Sequence, residues 1–456
     1  MLCMNRMLTR KRVIGWGVVL LLVAVLVGAV LYINPLLPII TGYNAKHLCS
    51  SVFISNRTQK SVEELDLNFF PVKYASNDVN FTDSTVTSRF LWGKSVSVFR
   101  KGTGSALVRE ASIEVVKKQT FTNRFNLNAD TAMWPMGNRM ARFDDVGLQN
   151  RVAAIGGNVM NGKRYGGHIF AFLVMHRGEV VAEKYGVGIN SSTRLLGWSM
   201  AKSFTNALVG SLVAAGIADI SKPTGLKEWQ NDARRKITVN DLLRMQSGLE
   251  WNENYGTRSD VTQMLYCHGS AAKYAIGKPL QYPIATKWSY SSGSTNIACY
   301  WARQQFKSDS ALYAFAYSNL FNRIGMQNAI LESDESGVPV GSSYIYATAR
   351  DYARFALLYL QDGVFNGQQI LPKGWVKYTA TTTAGSEGAY GASFWKLGKK
   401  RTEALPSDFM SCEGHDGQYI VMIPSEQLAI VVLGYSPRSS NELNIGLLVK
   451  DVLNAL

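Results

Sequence analysis

Cysteine and histidine are scarce in this chain, which carries only five of each in 456 residues. The cysteines are widely spaced and match neither a C-x-x-C zinc pattern nor the framework of a small disulfide-rich domain. We therefore expect no metal site and no cofactor. Four cysteines lie beyond the N-terminal segment: Cys49, Cys267, Cys299 and Cys412. They could form two disulfides, and the sequence leaves the pairing open.

The chain also lacks basic clusters interleaved with aromatic residues, the pattern of a nucleic-acid-binding surface. Its formal net charge is +15, but four of the positive charges fall within residues 1–12. The remaining excess of basic residues suits an anionic lipid surface or an anionic polymer such as a cell wall. We therefore expect no nucleic-acid partner.

No charged residue occurs between Arg12 and Lys46. Residues 13–33, "VIGWGVVLLLVAVLVGAVLYI", are enough to cross the ~30 Å hydrocarbon core of a bilayer. Because basic residues flank only the N-terminal side, residues 1–12 are predicted to be cytoplasmic and the rest of the chain periplasmic or extracellular. A cleaved signal peptide is the alternative, but the run is long for one and no A-x-A-like site follows it. The sequence thus favours a single-pass anchor in the inner (cytoplasmic) membrane.

Beyond the anchor, we expect a linker and small extension over residues 34–125 and one large domain over 126–456. The linker is predicted at residues 34–45, which carry two prolines. Residues 46–125 alternate short apolar runs with polar residues, a pattern typical of small strands or extended structure.

Hydrophobic periodicity in the large domain predicts strands at both ends and helices between them. Two strands are predicted in 166–188 and two more in 417–436. Helices are predicted over 199–216, 344–362 and 441–455. Asp351 and Arg354 are expected on the solvated face of the second of these helices. Strands from both ends pairing in one antiparallel sheet, covered by helices, indicate an α+β fold.

A serine three residues before a lysine occurs at Ser199/Lys202, Ser270/Lys273 and Ser393/Lys396. Only the first pair begins a long apolar helix, where residues three apart share a face with Cβ atoms ~5–6 Å apart. The helix dipole there favours a developing alkoxide on Ser199, and burial lowers the pKa of Lys202 so that it can accept the serine proton. The segment suits a nucleophile with its base; a helix-capping serine followed by a solvated lysine is the alternative.

Two further segments carry residues suited to the same chemistry. In "KWSYSSGSTN", Tyr290 lies in a polar turn, where its phenol could share proton transfer with Lys202, whose ammonium would favour the phenolate. In "SCEGHDGQYIVMIP", Gly414 and Gly417 border an apolar strand and would let a substrate approach the backbone. One N–H there could complete an oxyanion hole with the N–H of Ser199. A strand-end tyrosine and a turn with a bulge are the ordinary alternatives.

In this order, Ser-x-x-Lys, Tyr-x-Ser and a glycine-rich strand resemble the motifs of the penicillin-recognising serine hydrolases. The resemblance extends over residues 150–456, and its nearest branch is the class C β-lactamase-related one, with its esterases and 6-aminohexanoate-dimer hydrolases. Shared landmarks include "ITVNDLLRMQSGLEW", "ATARDYARFALLYLQDGVFNGQQILPKGWV" and "GHDGQYIVMIP". The resemblance implies a β-lactamase/transpeptidase-like sheet with a helical subdomain. It also implies hydrolysis of an amide or ester, in a small molecule or peptide, through a Ser199 acyl-enzyme formed with Lys202 and Tyr290.

The chain departs from the β-lactamases of this family at two motifs. Those enzymes carry Tyr-x-Asn and Lys-Thr-Gly, whereas Ser292 takes the place of the asparagine here and the strand reads "CEGHDG". Both departures remove groups that would bind a lactam, which favours an esterase or amidase over a β-lactamase or a D-Ala-D-Ala peptidase. Aligning Cys-Glu-Gly with Lys-Thr-Gly gives the second oxyanion N–H to His415, while an ungapped alignment of the last strand gives it to Cys412. We expect His415 to donate, with Ser292 and the two glycines beside the substrate.

A non-catalytic envelope protein that binds peptides or wall fragments is an alternative of another class. The complete set of Ser199, Lys202 and Tyr290 favours an enzyme instead. The sequence therefore predicts a membrane-anchored serine hydrolase, and it leaves the substrate and the oligomeric state open.

Overall fold

The computed structural model describes residues 2–125, 127–398 and 405–456, with only the backbone described for residues 2–13. The helices, numbered along the chain, are α1 Leu2–Ile33, α2 Leu37–Phe53, α3 Gln59–Glu64, α4 Ile113–Lys117, α5 Val146–Asn161, α6 Ala201–Ala214, α7 Val239–Leu243, α8 Asp260–Tyr266, α9 Ala271–Ile276, α10 Ser292–Gln304, α11 Asp309–Ala316, α12 Ala349–Leu360, α13 Trp375–Ala380 and α14 Ile445–Ala455. The strands are β1 Ser76–Asn80, β2 Thr85–Phe90, β3 Gly93–Arg100, β4 Gly104–Val108, β5 His168–His176, β6 Glu179–Tyr185, β7 Leu195–Leu196, β8 Ile330–Leu331, β9 Ile345–Ala347, β10 Val364–Phe365, β11 Gln368–Gln369, β12 Trp395–Lys396, β13 Met410–Gly414, β14 Gln418–Ile423 and β15 Leu428–Tyr435.

The N-terminal helix α1 leaves its apolar side chains uncovered, since residues 14–32 are exposed. It continues through a 3₁₀ turn at Asn34–Leu36 into α2. Within the described residues, this is the one helix whose length and apolar composition suffice to cross a membrane. A signal sequence near an N-terminus would meet the same criteria.

The segment expected to be a linker, residues 34–45, is helical instead. Its two prolines lie in the first turns of their helical segments, where a missing N–H costs no hydrogen bond and the fixed φ suits a helix. Helix α2 is largely buried because it packs on an antiparallel sheet of order β1-β2-β3-β4. Small strands were the expectation for 46–125. That expectation is confirmed for β1–β4. It is wrong for residues 46–53, which belong to α2, and for α3 and α4.

A six-stranded antiparallel sheet lies at the centre of the large domain, in the order β12-β13-β14-β15-β5-β6. It joins strands from both ends of the domain, because β15 pairs with β5 from Leu428↔His176 to Tyr435↔His168. Alternate residues of β15 face two apolar clusters, one shared with α12 and the other with α5 and α14. The predicted α+β fold, with its strands at both ends and helices on both faces, is confirmed.

Helix α12 is shorter than the predicted 344–362. Residues 345–347 form β9, and Thr348 then caps the helix in a capping box with Asp351. The expectation that Asp351 and Arg354 are solvated is wrong. The Arg354 guanidinium lies 2.8 Å from Asp351, and both side chains are buried; the guanidinium also donates to backbone carbonyls of the segment before α5.

Candidate active site

Ser199 lies in a tight 3₁₀ turn, Trp198–Met200, between β7 and α6. The preceding Gly197 has no room for a side chain, because a Cβ there would lie 2.7 Å from the Tyr352 hydroxyl. Trp198 has a φ of +48°, a strained value for a bulky residue. Met200, not Ser199, is the N-cap of α6, and it makes no side-chain cap hydrogen bond. The capping alternative is therefore wrong, and the turn holds the Ser199 hydroxyl at the positive end of a buried helix.

The two other Ser-x-x-Lys pairs have ordinary structural roles. Ser270 caps α9 by accepting the backbone N–H of Lys273. The Ser393 hydroxyl donates to the carbonyl of Leu243, and Lys396 lies in the edge strand β12. Neither pair, within the described residues, joins its hydroxyl to its amine.

The amine of Lys202 is buried at the foot of the turn, with the side chain 1% exposed. Its three hydrogens have three acceptors: Ser199 Oγ at 3.1 Å, Ser292 Oγ at 3.0 Å and the carbonyl of Ser342 at 2.9 Å. Burial lowers the pKa of Lys202 to about 8, against the attraction of the Glu253 carboxylate. A substantial fraction of the amine is therefore neutral near pH 8 and can accept a proton.

The phenol of Tyr290 lines the same cleft as Ser199 and interacts with its hydroxyl. The Lys202 amine is 4.7 Å from the centre of its ring, and the ring stacks on Trp395 at 5.2 Å. Burial raises the pKa of Tyr290 well above its ordinary value, and the Ser199 hydroxyl only partly opposes this shift. The expectation that the ammonium favours a phenolate therefore does not hold: Tyr290 is a neutral phenol at rest.

A carboxylate that the sequence analysis missed completes the polar network. Glu253 Oε1 accepts a 2.5 Å hydrogen bond from Ser292 Oγ, and Glu253 Oε2 accepts the Ser292 N–H at 2.9 Å. The indole of Trp251 also donates to this carboxylate. Glu253, Ser292, Lys202 and Ser199 thus form one continuous chain of hydrogen bonds. Nothing in the stretch "WNENYG" distinguishes Glu253 from a loop residue, so its role depends on tertiary contacts.

The end of strand β13 passes directly beside the serine turn. A Cβ on Gly414 would lie 2.2 Å from the carbonyl oxygen of Gly197, so only glycine permits this approach. The next residue, His415, stacks on Tyr255 with ring centroids 4.8 Å apart. Gly417 closes the hairpin with a φ of +84°. Cys412 is instead buried within the strand.

Ser199, Tyr290, Glu253 and the end of β13 line one open cleft of about 1260 Å³, whereas Lys202 and Ser292 are buried and do not line it. The cleft lining includes Leu36, Ile39, Ile40, Tyr43, residues 68–72, Ser199, residues 253–257, Tyr290, Trp395, residues 413–417 and residues 435–440. Three parts of the chain that are distant in sequence therefore meet here: the segment after α1, the serine turn and the β13–β14 hairpin.

The structure brings the predicted site residues close together: Ser199, Lys202, Tyr290, Ser292, Gly414, His415 and Gly417. Ser292 differs from the expectation, because it is fully buried between Lys202 and Glu253 and does not line the cleft where a substrate would lie. A serine hydroxyl hydrogen-bonded to a buried amine, in a cleft that a phenol also lines, is suited to acyl transfer. Among the described residues, no cluster of three His, Cys, Asp or Glu side chains could hold a metal ion. Cys49, Cys267, Cys299 and Cys412 are free thiols.

Comparison with known proteins gives a family match over most of this domain. The model of the Beta-lactamase family matches residues 159–445. The 6-aminohexanoate-dimer hydrolase of Paenarthrobacter ureafaciens is 26% identical over 319 residues, which are 63% of this chain and 78% of that protein.

Solved structures share the fold at lower identity. A Bacillus anthracis protein proposed to be a 6-aminohexanoate-dimer hydrolase superposes with a TM-score of 0.55 and 24% identity, over 65% of this chain and 80% of its own. A family VIII carboxylesterase superposes with a TM-score of 0.52 and 15% identity, over 70% of this chain and 99% of its own. A penicillin-binding protein homologue from Caulobacter crescentus superposes with a TM-score of 0.52 and 13% identity, over 70% of this chain and 100% of its own.

Proposed function

Because this chain belongs to the beta-lactamase family and is a serine hydrolase of that family, we propose that it cleaves an amide or ester bond through an acyl-enzyme on Ser199. The observation that carries the proposal is the 3.1 Å hydrogen bond between Ser199 Oγ and the buried Lys202 amine, whose pKa is lowered to about 8. An amine of this kind is a suitable general base for a serine hydroxyl.

In the first step, Ser199 Oγ attacks the substrate carbonyl carbon, and its proton passes to the neutral Lys202 amine. The new oxyanion is held by the backbone N–H groups of Ser199 and His415. Two features support His415 over Cys412 as the second donor. His415 lines the cleft, and Gly414 before it lies against Gly197 in the serine turn.

In the second step, the tetrahedral intermediate collapses and the bond to the leaving group breaks. The leaving nitrogen or oxygen takes the proton from the Lys202 ammonium, by way of the Tyr290 phenol. Water then attacks the carbonyl carbon of the acyl-enzyme and gives a proton to the neutral Lys202 amine. When the bond between the acyl carbon and Ser199 Oγ breaks, the Lys202 ammonium passes this proton to Oγ, so that the acid is released and both groups are restored. Ser292 and Glu253 act as positioning residues, because they hold the Lys202 amine toward the serine.

The groups that line the cleft in place of the lactam-binding motifs support a substrate other than a lactam. Among the described residues, the carboxyl groups of the lining, which include Glu253, Glu413 and Asp416, outnumber its one guanidinium, that of Arg438, and this excess disfavours the carboxylate of a penicillin. A relative named for an amide and a structural neighbour named for an ester agree with a hydrolase of non-lactam bonds. The set of Ser199, Lys202 and Tyr290 favours an enzyme over the alternative of a non-catalytic binding protein.

Membrane attachment is the second part of the proposal. The exposed apolar residues 14–32 would span the bilayer, with the basic N-terminus in the cytoplasm and the catalytic domain in the periplasm or outside the cell. Extraction of membranes with carbonate tests this directly: the chain should stay in the pellet and require detergent. Release by carbonate alone would contradict the anchor.

Labelling tests the catalytic proposal. A fluorophosphonate should label the full chain and a Ser270→Ala variant, in which a second Ser-x-x-Lys serine is removed, but not a Ser199→Ala variant. Equal labelling of Ser199→Ala would mean that another serine reacts. Labelling by penicillin and not by fluorophosphonate would support the peptidase or β-lactamase alternative, and no labelling by either reagent would overturn the proposed activity.

A further inference from the structure

The cleft begins where the apolar N-terminal helix ends. Ile39 and Ile40 line the cleft, six and seven positions after Ile33, the last residue of α1. At 1.5 Å per helical residue, they lie only about 9–11 Å along the helix axis from that end. If α1 spans a bilayer, the cleft opens within one or two helical turns of the membrane surface.

A second apolar part of the cleft lining belongs to the loop before β1. Phe69, Phe70 and Pro71 line the cleft, and the Phe70 side chain is 78% exposed. This ring packs edge-on against Tyr74 and is otherwise largely in water. Together with Ile39 and Ile40, these residues form an apolar channel, which leads from the end of α1 toward Ser199.

Other exposed aromatic and aliphatic side chains lie near the end of α1. Leu91 and Trp92, at the turn between β2 and β3, are 62% and 54% exposed. The Trp92 indole donates to Asn34 Oδ1 at 3.1 Å, which ties this turn to the end of α1. Tryptophan at the end of an apolar span favours the interface between lipid and water. The end of α1, the β2–β3 turn and the mouth of the cleft therefore face one surface.

We propose that the substrate is a membrane amphiphile, whose acyl chain enters along the apolar channel from the bilayer while its ester or amide carbonyl reaches Ser199. This inference rests on the proposed hydrolase activity and on the membrane anchor. The volume of about 1260 Å³ exceeds that of ordinary small-molecule pockets and leaves room for a long chain. Residues 435–440, which include three serines and Arg438, line the cleft as well and provide polar partners for a head group. Water supplies the oxygen and hydrogen that the released acid and the alcohol or amine require.

Moving an acyl chain from lipid into an apolar channel changes its surroundings little. The advantage of the anchor is instead a high local concentration of substrate beside the cleft. We therefore expect long-chain substrates to be favoured only when they share a bilayer with the enzyme.

The test uses the full chain in phosphatidylcholine vesicles, with 4-nitrophenyl esters and 4-nitroanilides of butanoic and hexadecanoic acids. The ratio of long-chain to short-chain kcat/KM should exceed tenfold when substrate and enzyme share vesicles. It should fall when the hexadecanoyl compounds are supplied in separate vesicles. Phe70→Ser should lower this ratio at least fivefold. Phe81→Ser, which removes another exposed phenylalanine outside the cleft lining, should change it less than twofold.

Three results would overturn the membrane-substrate inference. They are a long-chain to short-chain kcat/KM ratio near one, the same ratio when the hexadecanoyl compounds are in separate vesicles, and an equal effect of Phe70→Ser and Phe81→Ser on this ratio. Hydrolysis of the butanoyl compounds in those cases would leave the proposed function intact. A fluorophosphonate adduct on Ser199 without hydrolysis of any of the four compounds would overturn the inference alone. Absence of both hydrolysis and adduct would overturn the proposed function as well.

Discussion

At the scale of single residues, Lys202 links the burial of a charge to the rate of the reaction. Its pKa is lowered to about 8 because burial disfavours the ammonium. If the neutral amine is the base, the rate of fluorophosphonate labelling should rise with pH and level off above about 8. A rate independent of pH between 6 and about 10 would contradict this role.

The same shift predicts how stability depends on pH. The folded pKa of Lys202 is lower than its ordinary value of 10.5, so the unfolded chain binds more protons between about 8 and 10.5. The contribution of Lys202 to the free energy of unfolding should therefore rise with pH across this window. Urea unfolding at several pH values checks the slope, and Lys202→Met should remove this contribution.

Glu253 gives a second prediction at the residue scale. Its carboxylate favours the Lys202 ammonium, so Glu253→Gln should move the inflection of the labelling rate to lower pH. Weaker positioning of Ser292 should lower the limiting rate about tenfold, the equivalent of one hydrogen bond of about 1.4 kcal/mol. Glu250→Gln, an exposed carboxylate three residues earlier, is the matched control and should change neither. An unchanged inflection in Glu253→Gln would show that the two groups are not coupled.

At the scale of elements, the contact between β13 and the serine turn is the most constrained part of the site. Gly414→Ala would place a Cβ 2.2 Å from the Gly197 carbonyl oxygen and push the strand away from Ser199. We expect kcat/KM to fall by about a hundredfold, since the second oxyanion donor moves with the strand. Gly157→Ala on α5 meets no atom within 4 Å and should leave activity unchanged, with a gain in stability of about 0.5–1 kcal/mol. Full activity of Gly414→Ala would place the oxyanion hole elsewhere.

Local patterns were sufficient to predict some elements and not others. The strands β5, β14 and β15 are short apolar runs bounded by turns, so each can be predicted from a few residues. The pairing of Ser199 with Lys202 could also be predicted locally, because the two residues are three positions apart at the start of α6. The contact between Glu253 and Ser292 joins residues 39 positions apart and leaves no trace in either segment. The helical structure of residues 34–45 could not be predicted either, because Pro35 and Pro38 resemble the prolines of a linker.

At the scale of the whole molecule, α2 is bound to the catalytic domain by a buried charge. Glu332 is fully buried and accepts hydrogen bonds from Lys46, Ser50 and the N–H of Ser105, all from the N-terminal part of the chain. Removing these partners would leave an unpaired buried carboxylate, at a cost of about 3–5 kcal/mol. Residues 34–125 are therefore expected to be required for a stable catalytic domain.

Two truncated chains test this expectation. A chain that begins at residue 34 should fold and unfold cooperatively in urea, whereas one that begins at residue 126 should be insoluble or unfold at a much lower urea concentration. Glu332→Gln in the shorter chain should recover part of the loss. Equal urea midpoints for the two chains would show that residues 126–456 are independent of the N-terminal part.

The central claim is a covalent intermediate on one serine. The most direct measurement is mass spectrometry of the full chain, quenched with acid at intervals after mixing with 4-nitrophenyl acetate. We expect a single acetyl group on the peptide that carries Ser199, formed with a burst of nitrophenolate and lost at the rate of turnover. Turnover with no acetyl group on Ser199, or with the group on Ser270 or Ser393, would contradict it.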